Sequence, residues 1–327
     1  LMNQTFMKEK KILPLVLSMS LPMVLSMLVN SLYNIIDSYF VAKISETAMT
    51  ALSLVYPLQI LINAVAVGLG IGLNTAAAFY LGAQEHEKAS DSASVGMILS
   101  LIHGLVLTFV CILIVPSFLH LFTQDQNVIS CALTYSYIVF GFTVPITVGI
   151  AFEKVFQAEG QMMITMTTML CGCITNIILD PIFIFGLGPV PKMGIAGAAW
   201  ATGIGQIVPV ILYFIIYFKK PLPLRLRIRK GMFRTKLCLR IYGVGIPAAL
   251  NMALPSLMIT VLNGILAAFS ASCVLVLGIY YKLQTFIYLT ANGIVQGIRP
   301  IAGYNYGAGE YQRVRSVFKT ALALTAG

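Results

Sequence analysis

Two aspartates, Asp37 and Asp180, are the residues of this chain whose type and setting most invite chemistry. Every other acidic residue falls in a stretch read as a loop or tail, whereas these two interrupt long apolar runs. A carboxylate held in hydrocarbon is costly even on lenient insertion scales, so each is a functional candidate by default. Around Asp37, the residues Ser26, Asn30, Tyr33 and Asn34 recur at helical spacing and draw one polar stripe, which must face a cavity or a partner. Asn176 and Asp180 are i,i+4 neighbours, hence on one helix face. Pro181 has no N–H, so the carbonyl of Ile177 loses its helical partner and becomes available as an oxygen ligand. Two carboxylates, an amide oxygen and a freed carbonyl suit a hard cation, with Na⁺ at Asp37 and Asp180, or a proton shared between close acids. The bland alternative is that both acids cap helices at the outer interface.

Thr202 and Gln206 share one face of a further apolar run and are candidates for the same cavity. Lys282 is a cation deep inside another run, with a structural role as its rival reading, while Arg299 is close enough to a helix end to snorkel. The six cysteines have no metal or redox spacing and read as reduced packing residues. Three scattered histidines imply no metal site. No cofactor is expected, with Na⁺ or H⁺ entering only as a coupling ion.

The elements that position these residues must cross a membrane. Of 327 residues 58% are hydrophobic and 10% charged, against roughly 25% charged in an ordinary soluble domain. Mean hydropathy is +0.90. The fold class is therefore an all-α polytopic membrane protein, since strands would need short alternating segments. Eight spans are expected near residues 13–41, 51–81, 94–122, 128–152, 162–186, 194–218, 241–268 and 273–303, with a ninth beginning near Val314.

A net charge of +10 raises the question of nucleic acid, but the placement of the basic residues answers it. One set of loops collects Lys8, Lys10, Lys11, Lys88, Lys154, the run from Lys219 to Arg240, Arg313, Arg315 and Lys319, while the other set holds Lys43 and Lys192. That is the positive-inside pattern, with a cytoplasmic N-terminus and no nucleic-acid partner. The run Lys219–Arg240 reads as a topology-fixing cytoplasmic linker rather than a lipid patch. The apolar stretch at the N-terminus is too long for a cleaved signal and reads as a retained first span.

Sliding the sequence along itself by 225 positions sets Pro22 on Pro247, Tyr56 on Tyr281, Gly68 and Gly72 on Gly293 and Gly297, and Gly82 and Glu85 on Gly307 and Glu310. Roughly 19 of about 69 positions match, enough to call a duplication of the kind transporters use. Six spans separate equivalent points, so the repeats are parallel and related by a pseudo-two-fold along the membrane normal. The expected organisation is an N-terminal six-helix lobe (1–218), a basic linker (219–240) and a partial second lobe (241–327). On this reading the chain is a C-terminally truncated part of a protein of about twelve spans.

Three strings carry a family resemblance: Gln157-Ala-Glu-Gly160 after the fourth span, Asn176-Ile-Ile-Leu-Asp-Pro181 in the fifth, and Arg299-Pro-Ile-Ala-Gly-Tyr-Asn-Tyr-Gly-Ala308 after the eighth. With Gly194-Ile-Ala-Gly-Ala-Ala-Trp-Ala-Thr202 they resemble multidrug and toxic compound extrusion (MATE) transporters of the DinF-like branch. The resemblance implies a V-shaped pair of lobes that opens alternately to the two sides of a bacterial inner-membrane type cell membrane. It further implies export of small organic compounds while Na⁺ or H⁺ enters, with coupling positions matching Asp37, Asn176, Asp180 and Thr202. The partners expected are organic substrates and the bilayer, and the protein is expected to act as a monomer rather than as an enzyme. Rival readings are a flippase for lipid-linked oligosaccharides, which would want several cavity cations, and an intramembrane aspartyl protease, whose Tyr-Asp and Gly-x-Gly-Asp settings are not found around Asp37 and Asp180.

Overall fold

The computed structural model describes residues 5–326 apart from 221, 230 and 268–270; its described side chains further exclude 256–257, 259–260, 263–264, 266–267, 271–279, 281–283 and 285–287. Among the described residues every regular element is a helix. A short α1 (Phe6–Glu9) leads into α2 (Ile12–Ala42), α3 (Glu46–Gly82), α4 (His86–Phe122), α5 (Gln126–Gly141) and α6 (Thr143–Ala158). Then follow α7 (Met162–Phe185), α8 (Ile195–Lys219), α9 (Thr235–Ala267), α10 (Ala271–Gly307) and α11 (Tyr311–Ala326). Among the described residues, six helices are long and apolar enough to cross a membrane by length and composition, and α5 with α6, bent by 44°, passes the same test as a pair. The helix faces agree with a hydrocarbon surround. On α4, Leu105, Phe109 and Leu113 lie exposed on one face, while Gly96, Ser100, Gly104 and Cys111 are buried.

The bend in the fourth span corrects the sequence reading. Pro145 cannot donate to the carbonyl of Gly141, so the chain breaks at Phe142 and restarts as α6, which continues to Ala158 rather than ending near residue 152. Lys154, expected among the exposed basic loop residues, is therefore inside a helix and only 2% exposed, and Glu153 beside it is also on the helix. Glu159, expected in an open loop, is likewise buried.

Three main crossings join α2–α8 to α9–α11: α3 packs on α9, and α2 and α3 both pack on α10. Each depends on glycine. A Cβ on Gly68 would lie 2.6 Å from the Cβ of Ala249, and one on Gly293 would lie 2.6 Å from the Cα of Val24. Adding 225 to 24 gives 249, so the two contacts exchange under the repeat. Gly82 on Tyr304 and Gly307 on Phe79 exchange in the same way. Such reciprocity is what a two-fold axis requires. Because the Gly82 and Gly307 contacts are with backbone, no flexible side chain can yield. Gly82→Val and Gly307→Val should each cost roughly 1–3 kcal/mol by overpacking, read as a lowered unfolding temperature in detergent. An unchanged temperature for either would count against the crossing.

The basic run does not hang free. Helix α8 extends to Lys219 and α9 starts at Thr235, and between them the backbone donors of residues 224–227 are taken up by side chains elsewhere in the fold. Leu224 N donates to Glu159 Oε1 (2.8 Å), Leu226 N to the Tyr217 hydroxyl (2.6 Å) and Arg227 N to Ser94 Oγ (2.9 Å). Leu224 itself is fully buried. Glu159 lies in the turn between α6 and α7, outside the spans. Burial pushes its carboxyl from 4.5 up to about 7, against the opposing pull of bonds from Leu224 N–H and Gln161. A folded-state pKa above the unfolded value means that the docked state holds the extra proton, so docking weakens as pH rises through that window. Hydrogen-exchange protection of the 224–227 amides, corrected for intrinsic rate, should fall from pH 6 to pH 8. Glu159→Gln should keep the Leu224 bond and flatten the profile.

Candidate functional site

Helices α2 and α7 pack side by side and bring Asp37 and Asp180 together. The two carboxyl groups lie close enough to interact directly. Two carboxylates at such an approach repel, so a proton or a cation between them is favoured over two bare charges. Asp180 is fully buried. One turn earlier on α7, Asn176 is also buried, and with its amide oriented to satisfy both ends it donates to Asp180 Oδ2 (3.0 Å) and accepts from Thr202 N (3.1 Å). The amide oxygen, expected to face a cation, is thus turned toward α8, because the adjacent carboxylate demands a donor.

Small residues on α8 make that reach possible. Gly205 lies against Asn176 and Gly172, with a Cβ there only 2.9 Å from the Asn176 Cβ, and Gly197 lies against the backbone of Phe183. Among the described residues, the buried Asp37 Oδ1 has no hydrogen-bond partner, while the Thr202 hydroxyl lies within reach of Tyr135. Buried polar atoms are ordinarily satisfied, so Asp37 Oδ1 is a place where a bound cation or water would be stabilised. Tyr33 and Tyr135 are buried close enough to feel the charge of Asp37, and Gln59 Nε2 donates to the Tyr135 hydroxyl at 3.4 Å. Tyr135 and Gln59 were missing from the sequence reading of the site. Gln59 belongs to the repeated Tyr-x-Leu-Gln string; Tyr135 carries no signal of its own in an apolar run.

Beside this cluster lies a cavity of about 350 Å³. Asn30, Tyr33, Asn34 and Gln206 line it, as expected, together with Asn176 and Thr202. The Asn34 amide donates to the Asn30 carbonyl at 2.7 Å, so the polar stripe is partly paired within its own helix. The lining includes Tyr33, Asn176 and Thr202, which neighbour the acids, but neither Asp37, which is half-buried, nor Asp180, which is fully buried. The side chain of Lys282 lies outside the described residues. At the other end of the cavity the lining includes Glu153, Lys154 and Gln296, none of which the sequence reading put there. The arrangement can exchange one proton or small cation at a dry acidic pair while an organic molecule occupies the adjoining space.

Comparison with known proteins bears on the family and the fold. The MatE family model matches residues 22–182 and 247–327. The multidrug export protein MepA of Staphylococcus haemolyticus is 28% identical over 303 residues, covering 92% of this chain and 66% of that protein. MepA of Staphylococcus aureus strain N315 is 26% identical over 319 residues, covering 97% and 69%. The chain thus spans about two thirds of the length of these relatives. Among solved structures, a MATE in complex with MaD3S superposes with a TM-score of 0.93 at 24% identity, covering 98% of this chain and 72% of that one. A MOP superfamily transporter from Pyrococcus furiosus gives 0.91 at 23% identity, covering 98% and 71%. With the family model spanning both halves of the repeat, the chain belongs to the MatE family, whose members are multi-pass membrane transporters and not enzymes.

Proposed function

We propose that the protein is a cation-coupled antiporter that exports small organic, cationic or amphipathic compounds across a bacterial cell membrane by alternating access. The relatives named as multidrug export proteins support the cargo class. The observation that carries the coupling is the approach of the half-buried Asp37 to the fully buried Asp180, beside a roomy cavity that Asn176 and Thr202 line. A proton is the cation this contact fits most directly, since the amide oxygen of Asn176 is engaged elsewhere. The Asp37 Oδ1, without a partner among the described residues, favours Na⁺ as the second reading. In either case loss of the proton leaves two carboxylates repelling in a dry site, and Pro22 in α2 and Pro181 in α7 are points at which those helices can bend. On this reading the N-terminus is cytoplasmic, which the basic loop set supports, and the protein acts as a monomer.

The test is export of a fluorescent organic cation from proteoliposomes under an imposed pH or Na⁺ gradient. Export against the dye's own gradient, driven by one of the two ions, is the expected result. Flux that only follows the dye gradient would indicate a passive channel and sink the proposal.

A further inference from the structure

The coupling site does not use the most deeply buried cation of the first helix set. Lys154 is 2% exposed, and its ammonium donates to three oxygens: Glu153 Oε1 at 2.7 Å, Gln157 Oε1 at 3.0 Å and Gln296 Oε1 at 3.0 Å. The first two acceptors share its own helix α6. The third lies on α10, across the seam between the two helix sets. Neighbouring polar groups tie further helices to the same point. Asn74 on α3 donates to the Lys154 carbonyl at 3.0 Å, and Gln157 Nε2 donates to Glu153 Oε1 at 2.7 Å and to Met23 Sδ on α2 at 3.3 Å. Gln296 enters between Gly293 and Gly297, the two glycines that let α10 press against Val24 and Ser20 of α2. Arg299, one turn further on α10, is close enough for its charge to attract Glu153.

Among the described residues, the close glycine contacts between the two helix sets fall at the basic-loop end of the molecule, in the first half of α2 and α9 and the second half of α3 and α10. The cavity begins where they stop, and Glu153, Lys154 and Gln296 form its floor there. We infer that Lys154 and Gln296 form an inter-lobe latch, a positioning pair that holds the cavity shut on the basic-loop side and must part before it can open there. This rests on the alternating-access reading. The chemistry suits a latch better than a permanent strut. A hydrogen bond from an ammonium to a neutral amide is strong enough to bias two states, yet it can be exchanged for water without stranding a second charge. Within α6 the ammonium keeps Glu153 when Gln296 departs, so the opened state contains no unpaired buried lysine.

Opposite changes at Gln296 test this. Spin labels are placed on the exposed basic-side positions of the two helix sets, as His86→Cys and Gln312→Cys, with the native cysteines replaced, and the inter-label distance is measured in nanodiscs. Gln296→Leu removes the acceptor and should raise the long-distance, inward-opened population about tenfold. Gln296→Glu puts a carboxylate opposite Lys154 and should shrink that population below the parent level. Distributions unchanged by both substitutions, or shifted the same way by both, overturn the latch. Should Gln296→Leu fail to fold, Gln296→Glu decides alone, with a shrunken population supporting the latch and an unchanged or larger one refuting it. The measurement needs no ion gradient and no substrate, so failure of the latch is distinguishable from failure of antiport.

Discussion

Asp180→Asn is expected to bring gradient-driven export down to the level of vesicles with no gradient, while the protein still inserts and folds. The side chain is fully buried, accepts from Asn176 and lies within reach of the Asp37 carboxyl. An asparagine at 180 reproduces the protonated acid: its oxygen takes the Asn176 donor, and its amide donates to Asp37 as the shared proton did. The packing therefore survives, and what is lost is the ability to give the proton up. Asp37→Asn removes the same ability from the other side and should fail equally, since a pair sharing one proton has no function divided between its members. The double variant should be no worse than either single one. Full transport by either single variant would show that the acids are only structural, and the check is dye export in proteoliposomes with expression and thermal unfolding measured in parallel.

Much of this site was legible before any coordinates, for reasons particular to membranes. Apolar spans about 20 residues long make a buried acid conspicuous, so Asp37 and Asp180 stood out. The polar stripe through Asn30, Tyr33 and Asn34 followed from helical periodicity alone, and the duplication followed from glycines whose spacing the crossings demand. What was illegible depended on where a helix ends and what a neutral residue touches. Lys154 and Glu153 were assigned to a loop because charge was taken to mark the span's end, yet the Pro145 bend lets α6 run on and bury both. Gln296 and Tyr135 look like incidental polar residues in apolar runs until packing shows which groups they meet. Nor does the spacing that puts the Asn176 amide on the right face say which end turns to Asp180.

The position of the acids beside the cavity leads to a second large effect, on affinity rather than rate. Substrate and coupling cation do not compete for the same atoms here, since Asp37 and Asp180 are absent from the cavity lining. They can still oppose each other through Tyr33, Asn176 and Thr202, which touch the cavity on one side and the acids on the other. A cation that draws α2, α7 and α8 together reshapes that wall, and a substrate that needs the cavity open resists the change. Substrate affinity should then fall as the cation rises, by about fivefold or more, within the range of ordinary allosteric coupling. For a proton the weakening appears as pH is lowered; for Na⁺ it appears as salt is raised at constant ionic strength. Linkage makes the effect reciprocal, so saturating substrate should weaken cation binding by the same factor. Asp37→Asn, fixed in the proton-loaded likeness, should show the weak affinity at every pH and Na⁺ concentration. Calorimetric titration of an organic cation into the protein, repeated across pH and Na⁺, measures both sides of the linkage. Affinity indifferent to both ions in the parent protein would mean that the acid pair and the cavity are not coupled, and the antiport mechanism would have to be given up.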